Sequence, residues 1–115
     1  MIFGHTVTTH PARQHVEVSL DGEVIAVSDR PILLEETGLP TRYYLPRADV
    51  RTDLLRSTTF ATECPFKGKA SYWTLELGDQ THDGIAWSYE DPIPQAAGIT
   101  GLLSFYPDRA DITVG

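Results

Sequence analysis

The only cysteine and the only two lysines of the chain lie close together. Cys64, Lys67 and Lys69 all occur in the segment TECPFKGKASYW, residues 62–73. Nearby lysine charges favour the thiolate, which is the nucleophilic form of cysteine. Lysine also attracts phosphate and carboxylate groups, and a glycine between two lysines lets a ligand approach the backbone closely. The segment is therefore compatible with a nucleophile, an anion-binding turn or an ordinary solvated turn.

Cys64 is the candidate reactive thiol of this segment. A catalytic thiol needs a base such as histidine, and the sequence does not place any of the four histidines beside it: His5, His10, His15 and His82. A free cysteine at the end of a strand commonly packs as a small apolar group. We therefore expect Cys64 to be mostly buried and to remain an unreactive thiol at neutral pH.

Lys67 is expected at the rim of a cleft, where its ammonium group would fix an anionic ligand. Gly68 allows the chain to turn from the strand before Cys64 into the strand that follows. The segment is not the phosphate-binding loop G-x-x-x-x-G-K-[ST], because Glu63 stands where the first glycine is required. The alternative is a solvated hairpin turn without a ligand.

Aromatic side chains supply the other candidate binding residues. Tyr43-Tyr44 and Tyr72-Trp73 are adjacent pairs in strand-like segments, so the members of each pair must face opposite sides of a sheet. One member can enter the core while the other lines a cleft that accepts a flat ring. We expect Tyr44 and at least one of the two tryptophans, Trp73 and Trp87, to line a cleft with Lys67.

Charged residues near position 50 are the remaining candidates. Arg51 could complete a charge clamp around an anionic ligand, and Asp49 or Asp53 could act in acid–base chemistry. The alternative is that these residues form a charged helix face on which Asp53 pairs with Arg56. His5, His10 and His15 recur every five residues, which suits one face of neither a helix nor a strand. With a single cysteine available as well, no metal site is predicted. The sequence identifies no cofactor and no certain catalytic residue.

Composition excludes several classes of function. The chain has 115 residues and a net charge of −7, and from position 76 onward seven acidic residues face a single basic one, Arg109. Nucleic-acid binding normally needs a basic surface, so we expect no nucleic-acid partner. No stretch approaches the roughly 20 apolar residues of a membrane span, and the first residues lack a signal-peptide pattern. A single cysteine cannot form an internal disulfide bond. We expect a cytoplasmic protein without a membrane partner.

Short alternating apolar segments separated by turn residues predict the fold. Strand-like segments cover 15–20, 23–28, 31–36, 41–46, 58–63, 70–77 and 84–90, and LLSFY and ADITV close the chain. Asp21-Gly22 predicts a tight hairpin turn. One helix is predicted from Ala48 to Arg56. Residues 1–14 are interpreted as an N-terminal arm and 15–115 as a single domain. The predicted class is mainly β, with a curved antiparallel sheet, barrel- or sandwich-like, and one short helix.

Several segments together resemble a known family. YYLPRADVRTDLL, TECPFKGKASYW, AWSYEDP and ITGLLSFY, in this order and spacing, are similar to the signature blocks of the domain of unknown function 427 family. The resemblance covers nearly the whole chain from Val16 and implies a compact β-rich domain without indicating a particular reaction. That family is sometimes filed under nucleotidyltransferases. This chain lacks the Gly-Ser and paired nearby aspartates of that enzyme class, since no Gly-Ser precedes Asp49 and Asp53.

Together these observations predict a domain that binds a small anionic or aromatic molecule in an aromatic-lined cleft, with Tyr44, Arg51, Lys67, Trp73 and Trp87 as ligand-binding residues. An enzyme acting on a nucleotide or acyl-type substrate through Lys67, Cys64 or Asp49 is the first alternative. A structural or regulatory homodimer formed through an exposed sheet edge is the second.

Overall fold

Ten strands form three antiparallel sheets in the computed structural model, which describes residues 4–115. The strands are β1 (Val7–Pro11), β2 (Val16–Leu20), β3 (Glu23–Ser28), β4 (Ile32–Glu36), β5 (Arg42–Tyr44), β6 (Leu55–Cys64), β7 (Gly68–Leu77), β8 (Gln80–Ser88), β9 (Ser104–Phe105) and β10 (Asp111–Val114). The sheet orders are β1-β4-β5, β10-β2-β3 and β6-β7-β8-β9. The predicted mainly β, antiparallel class is confirmed; the three sheets are sandwich-like, and among the described residues no barrel closes.

Local sequence explains the β2–β3 hairpin. Leu20 pairs with Glu23 across Asp21-Gly22, whose φ angles of 51° and 81° are the positive values that such a two-residue turn requires. Val16, Val18 and Leu20 are buried on one face of β2 while the residues between them are partly exposed, as the alternation predicts. β10 pairs with the other edge of β2 and makes β2 the central strand of its sheet.

Two apolar clusters lie against opposite faces of the β6–β9 sheet. The first is built around β2 and β3, and Leu75 and Phe105 belong to it. The second contains Tyr44, Trp87 and Tyr89, with Leu34, Ala70, Ala96 and Ile99. Neighbouring residues of a strand alternate between faces, so Trp73 packs against the first cluster and Tyr72 against the second. The candidate site forms beside the second cluster.

The helix expected at 48–56 is replaced by two separate 3₁₀ turns, Arg47–Asp49 and Thr52–Leu54. Val50 between them is extended and bridges Ala26, and the Arg51 amide donates to the Ile25 carbonyl at 2.8 Å. The backbone thus bonds to β3 instead of continuing a helix. A segment this short, with only two apolar residues at helical spacing, is too short for a helix to be more stable than the backbone hydrogen bonds to β3. A third 3₁₀ segment spans Pro94–Ile99.

The segment interpreted as an N-terminal arm contains a strand. β1 pairs with β4 from Val7↔Glu36 to Pro11↔Ile32, so it is part of the first sheet; residues 1–3 lie outside the described part of the chain. Each segment that the sequence predicts to be extended contains a strand. Between residues 4 and 115, no helix has both the length and the apolar character needed to cross a membrane.

Candidate functional site

The turn of the β6–β7 hairpin is fixed against the segment that follows β8. Cys64 pairs with Gly68 at the hairpin end, and the Ile93 amide donates to the Lys67 carbonyl at 2.9 Å. Gly68 has a φ of 116°, and a Cβ atom there would lie 3.3 Å from the Pro92 Cα. Only glycine suits this combination of backbone conformation and close approach. The turn thereby holds the Lys67 side chain beside the end of β4.

A cavity of about 170 Å³ opens beside Lys67, between β4, β5 and the β7–β8 part of the third sheet. Four of the five tyrosines line it: Tyr44, Tyr72, Tyr89 and Tyr106. Trp87 forms part of its wall, with its ring centroid 4.5 Å from that of Tyr106 and 6.2 Å from that of Tyr44. The Trp87 Nε1–H donates to the Tyr44 hydroxyl at 2.9 Å. The cavity is therefore mainly aromatic, with hydroxyl groups at defined positions.

Three of the five predicted ligand-binding residues meet at this cavity: Tyr44, Lys67 and Trp87. Trp73 faces the opposite side of the sheet, where its Nε1–H donates to Ser88 Oγ at 3.0 Å and the Arg47 guanidinium lies over its ring. Arg51 lies beside β3 and pairs with Asp53 at 2.9 Å. Neither of these two residues lines the cavity.

The residues predicted for nucleophilic or acid–base chemistry, Cys64, Asp49 and Asp53, do not line this cavity. Cys64 is a half-buried free thiol at the end of β6. Asp49 accepts hydrogen bonds from Arg30 Nε at 3.0 Å and from Ser28 Oγ at 2.7 Å, and the bond from Arg30 is the main reason that its pKa is lowered. Asp53 pairs with Arg51 rather than with Arg56. In residues 4–115 no three His, Cys, Asp or Glu side chains converge as a metal site would need.

Glu36 is a site residue that the sequence analysis missed. Its carboxylate is ion-paired with Lys67 Nζ and lies 3.0 Å from His5 Nε2. The side chains of Glu36 and Lys67 are only 5% and 13% exposed, so the pair is largely removed from water. The His5 ring stacks on Phe66 at 3.8 Å. Because Glu36 already compensates the charge of Lys67, the lysine is a weaker anchor for an anion than the sequence suggests.

Arg42 and Tyr89 are the other missed residues. Arg42 lines the cavity with its guanidinium carbon 5.5 Å from the centroid of the Trp87 ring, and no carboxylate within the described residues forms an ion pair with it. Tyr89 is 5% exposed, lines the cavity, and its hydroxyl has no hydrogen-bond partner among residues 4–115. The alternation of side chains along a strand could have indicated both residues. Arg42 shares a face with Tyr44, and Tyr89 shares a face with Trp87.

The tyrosine hydroxyls act here as neutral hydrogen-bonding groups. Burial raises the pKa of Tyr44 to about 12, against the opposing effect of the bond from Trp87. Burial, with the neighbouring Tyr72 phenol as the second cause, raises the pKa of Tyr106 to about 12. Burial likewise raises the pKa of Tyr89. The cavity thus offers phenol hydroxyls, one guanidinium and aromatic surfaces, an arrangement suited to holding a polar flat molecule.

Fold and site together define a small mainly β domain with a tyrosine-lined cavity between its sheets. The family model described as Domain of unknown function (DUF427) matches residues 8–115, and the chain belongs to that family. This confirms the resemblance found in the signature blocks. A comparison with curated proteins gives no match.

Proposed function

We propose that the protein binds a small molecule with a single flat ring and an acidic group in the cavity beside Lys67. The Tyr89 hydroxyl is the observation that carries this proposal. This hydroxyl makes no hydrogen bond to residues 4–115 and is not sealed from solvent, so it is free to donate to or accept from a molecule in the cavity. Because the rest of the Tyr89 side chain is buried and fixed in the cavity wall, its hydroxyl offers a molecule in the cavity a hydrogen bond at a defined position.

The contacts of the cavity indicate how such a ligand would bind. Its ring would pack against Trp87 and Tyr106, its acidic group would pair with Arg42, and a further polar atom would bond to Tyr89. Arg42 takes the anion-binding role because its charge has no carboxylate partner within the described residues, whereas Lys67 is held by Glu36. A volume of about 170 Å³ limits the ligand to one ring, since drug-sized ligands occupy roughly 300–1,000 Å³.

Titration calorimetry with benzoate, 4-hydroxybenzoate and nicotinate tests the proposal. At least one of them should bind, Tyr89→Phe should weaken that binding about tenfold, and Arg42→Gln should weaken it at least as much, because a hydrogen bond to a charged group contributes more than a neutral one. Arg51→Gln is the matched control, since Arg51 lies outside the cavity. Absence of binding by all three acids, or equal effects of Arg42→Gln and Arg51→Gln, would contradict the proposal.

A second candidate is an enzyme that uses the same cavity for acid–base chemistry. Its support is Glu36, which Lys67 and His5 contact at the cavity wall and which could exchange a proton with a bound substrate. Chemical conversion of a bound acid, followed by NMR and abolished by Glu36→Gln, would favour it. Binding without conversion would favour the first proposal.

We place this function in the cytoplasm with no nucleic-acid partner, and both statements are part of the proposal. The unpaired thiol of Cys64 suits a reducing compartment. The net charge of −7 opposes approach to phosphate groups.

A further inference from the structure

A second, open groove lies next to the cavity. It has a volume of about 670 Å³ and extends over the face of β6, β7 and β8 that carries Tyr72 and Thr74. Tyr72 and Tyr106 line both the groove and the cavity, so these two rings form a shared wall. The groove is several times larger than the cavity, and the proposed function does not use it.

Aromatic rings provide the apolar surface of the groove. Phe60 is 62% exposed, the most exposed large apolar side chain described, and it lies in the irregular part of β6 between Ser57 and Ala61. Its ring centroid is 5.1 Å from that of Tyr72, at an interplanar angle of 51°. Phe60, Tyr72 and Tyr106 thus expose ring surface to one space.

The charges of the groove favour a cation. Asp83 and Asp108 line it, and neither carboxylate forms an ion pair with any residue in the described range 4–115. Arg109 is the only basic side chain in the lining. An anion would therefore be repelled, and a positive ligand would be attracted.

We propose that the groove binds a small organic ammonium ion. Aromatic faces attract ammonium groups, including quaternary ones, through the ring quadrupole. Phe60 and Tyr72 would contact the cation, and Asp83 or Asp108 would balance its charge. This site adjoins the cavity across the wall formed by Tyr72 and Tyr106, and it does not depend on the function proposed for the cavity.

Calorimetric titration at low salt with choline and with spermidine tests this site. At least one of them should bind with a dissociation constant below about 10 mM. Asp83→Asn and Asp108→Asn should each weaken binding about fivefold, while Asp79→Asn, which removes the same charge from the β7–β8 turn outside the groove, should change it less than about twofold. Phe60→Leu keeps an apolar side chain, removes the ring, and should weaken binding about threefold.

Arg109→Gln distinguishes a cation from other ligands. Removing the one positive charge of the lining should tighten the binding of an ammonium ion about threefold, whereas it would weaken an anion or a hydroxyl-rich neutral ligand that uses Arg109. Tyr89→Phe, which affects the cavity, should leave choline and spermidine binding unchanged. Three results would each overturn the proposal: no binding of either probe, equal effects of Asp79→Asn and Asp83→Asn, or weaker binding after Arg109→Gln.

Discussion

Glu36 and Lys67 form an ion pair in the wall of the candidate site. They are 31 positions apart in sequence, Glu36 at the end of β4 and Lys67 in the β6–β7 turn, and their side chains are largely removed from water. Removing one partner of such a pair leaves the other buried and uncompensated, which costs more than losing a surface ion pair. The pair therefore links the hairpin turn to β4 as well as shaping the cavity.

Lys67→Met should lower the free energy of unfolding by about 3 kcal/mol, because Glu36 loses its compensating charge while remaining buried. Lys69→Met is the matched control, since Lys69 is exposed two residues away, and its effect should stay within about 0.5 kcal/mol. Urea denaturation followed by tryptophan fluorescence measures both. The double variant Glu36→Gln/Lys67→Met should recover part of the loss; equal effects of the two single lysine variants would contradict this account.

The buried tyrosines predict how stability depends on pH. The pKa of Tyr44 is raised from 10.0 to about 12, so the folded protein retains a proton that the unfolded chain releases. The contribution of protonated Tyr44 to the free energy of unfolding is complete below about pH 10 and is lost as the pH rises toward about 12. The free energy of unfolding should therefore fall across this interval. Tyr44→Phe should be less stable than the parent at pH 9, since Trp87 loses its acceptor, and should lose less stability between about pH 10 and 12.

At the scale of elements, the β6–β7 hairpin turn is the part that the sequence placed most accurately. Cys64-Pro65 and Gly68 indicate where the strands end and begin, and in the structure Lys67, Tyr44 and Trp87 line the same cavity. The face of each aromatic side chain also follows from alternation, although alternation alone did not select Trp87 over Trp73. That choice depends on which sheet covers which face, and this is decided by contacts distant in sequence.

Other elements depend on partners that local sequence does not reveal. Val50 and Leu54 have helical spacing, yet hydrogen bonding to β3 keeps Val50 extended. β1 shows no clear alternation and is defined by its pairing with β4. Glu36 has no unusual sequence context, and only the approach of Lys67 makes it a site residue. Short-range patterns therefore predicted strands and turns, but not the pairing of sheets or the cavity between them.

Gly68→Ala should disturb the hairpin turn more than Gly78→Ala disturbs the next turn. Gly68 has a φ of 116° and close contact with Pro92, whereas Gly78 has a φ of 59° and open space around it. At Gly78 the alanine substitution should lower the free energy of unfolding by about 1 kcal/mol. At Gly68 it adds backbone strain and a steric contact with Pro92, so the loss should be about 3 kcal/mol. Thermal unfolding of the two variants compares these costs, and equal melting temperatures would show that the turn is not held against Pro92.

At the scale of the whole molecule, the charge distribution predicts what the protein avoids. With a net charge of −7 and an acidic final third, it should not bind duplex DNA more tightly than about 100 µM at about 150 mM salt. Fluorescence anisotropy with a labelled duplex measures this. Submicromolar binding that weakens steeply as salt is added would contradict it, because that behaviour requires a basic surface.

The pairing of β10 with β2 also affects the chain during its synthesis. β2 ends at Leu20, but the strand that covers its second edge begins only at Asp111. At about 5–20 residues per second, β2 waits roughly 5–20 s for this partner after it has been made. Throughout that interval its open edge, with unpaired N–H and C=O groups, is available for pairing with other nascent chains. Rapid engagement by a chaperone, or faster translation of the segment between β2 and β10, would therefore shorten this exposure and raise the yield of folded protein.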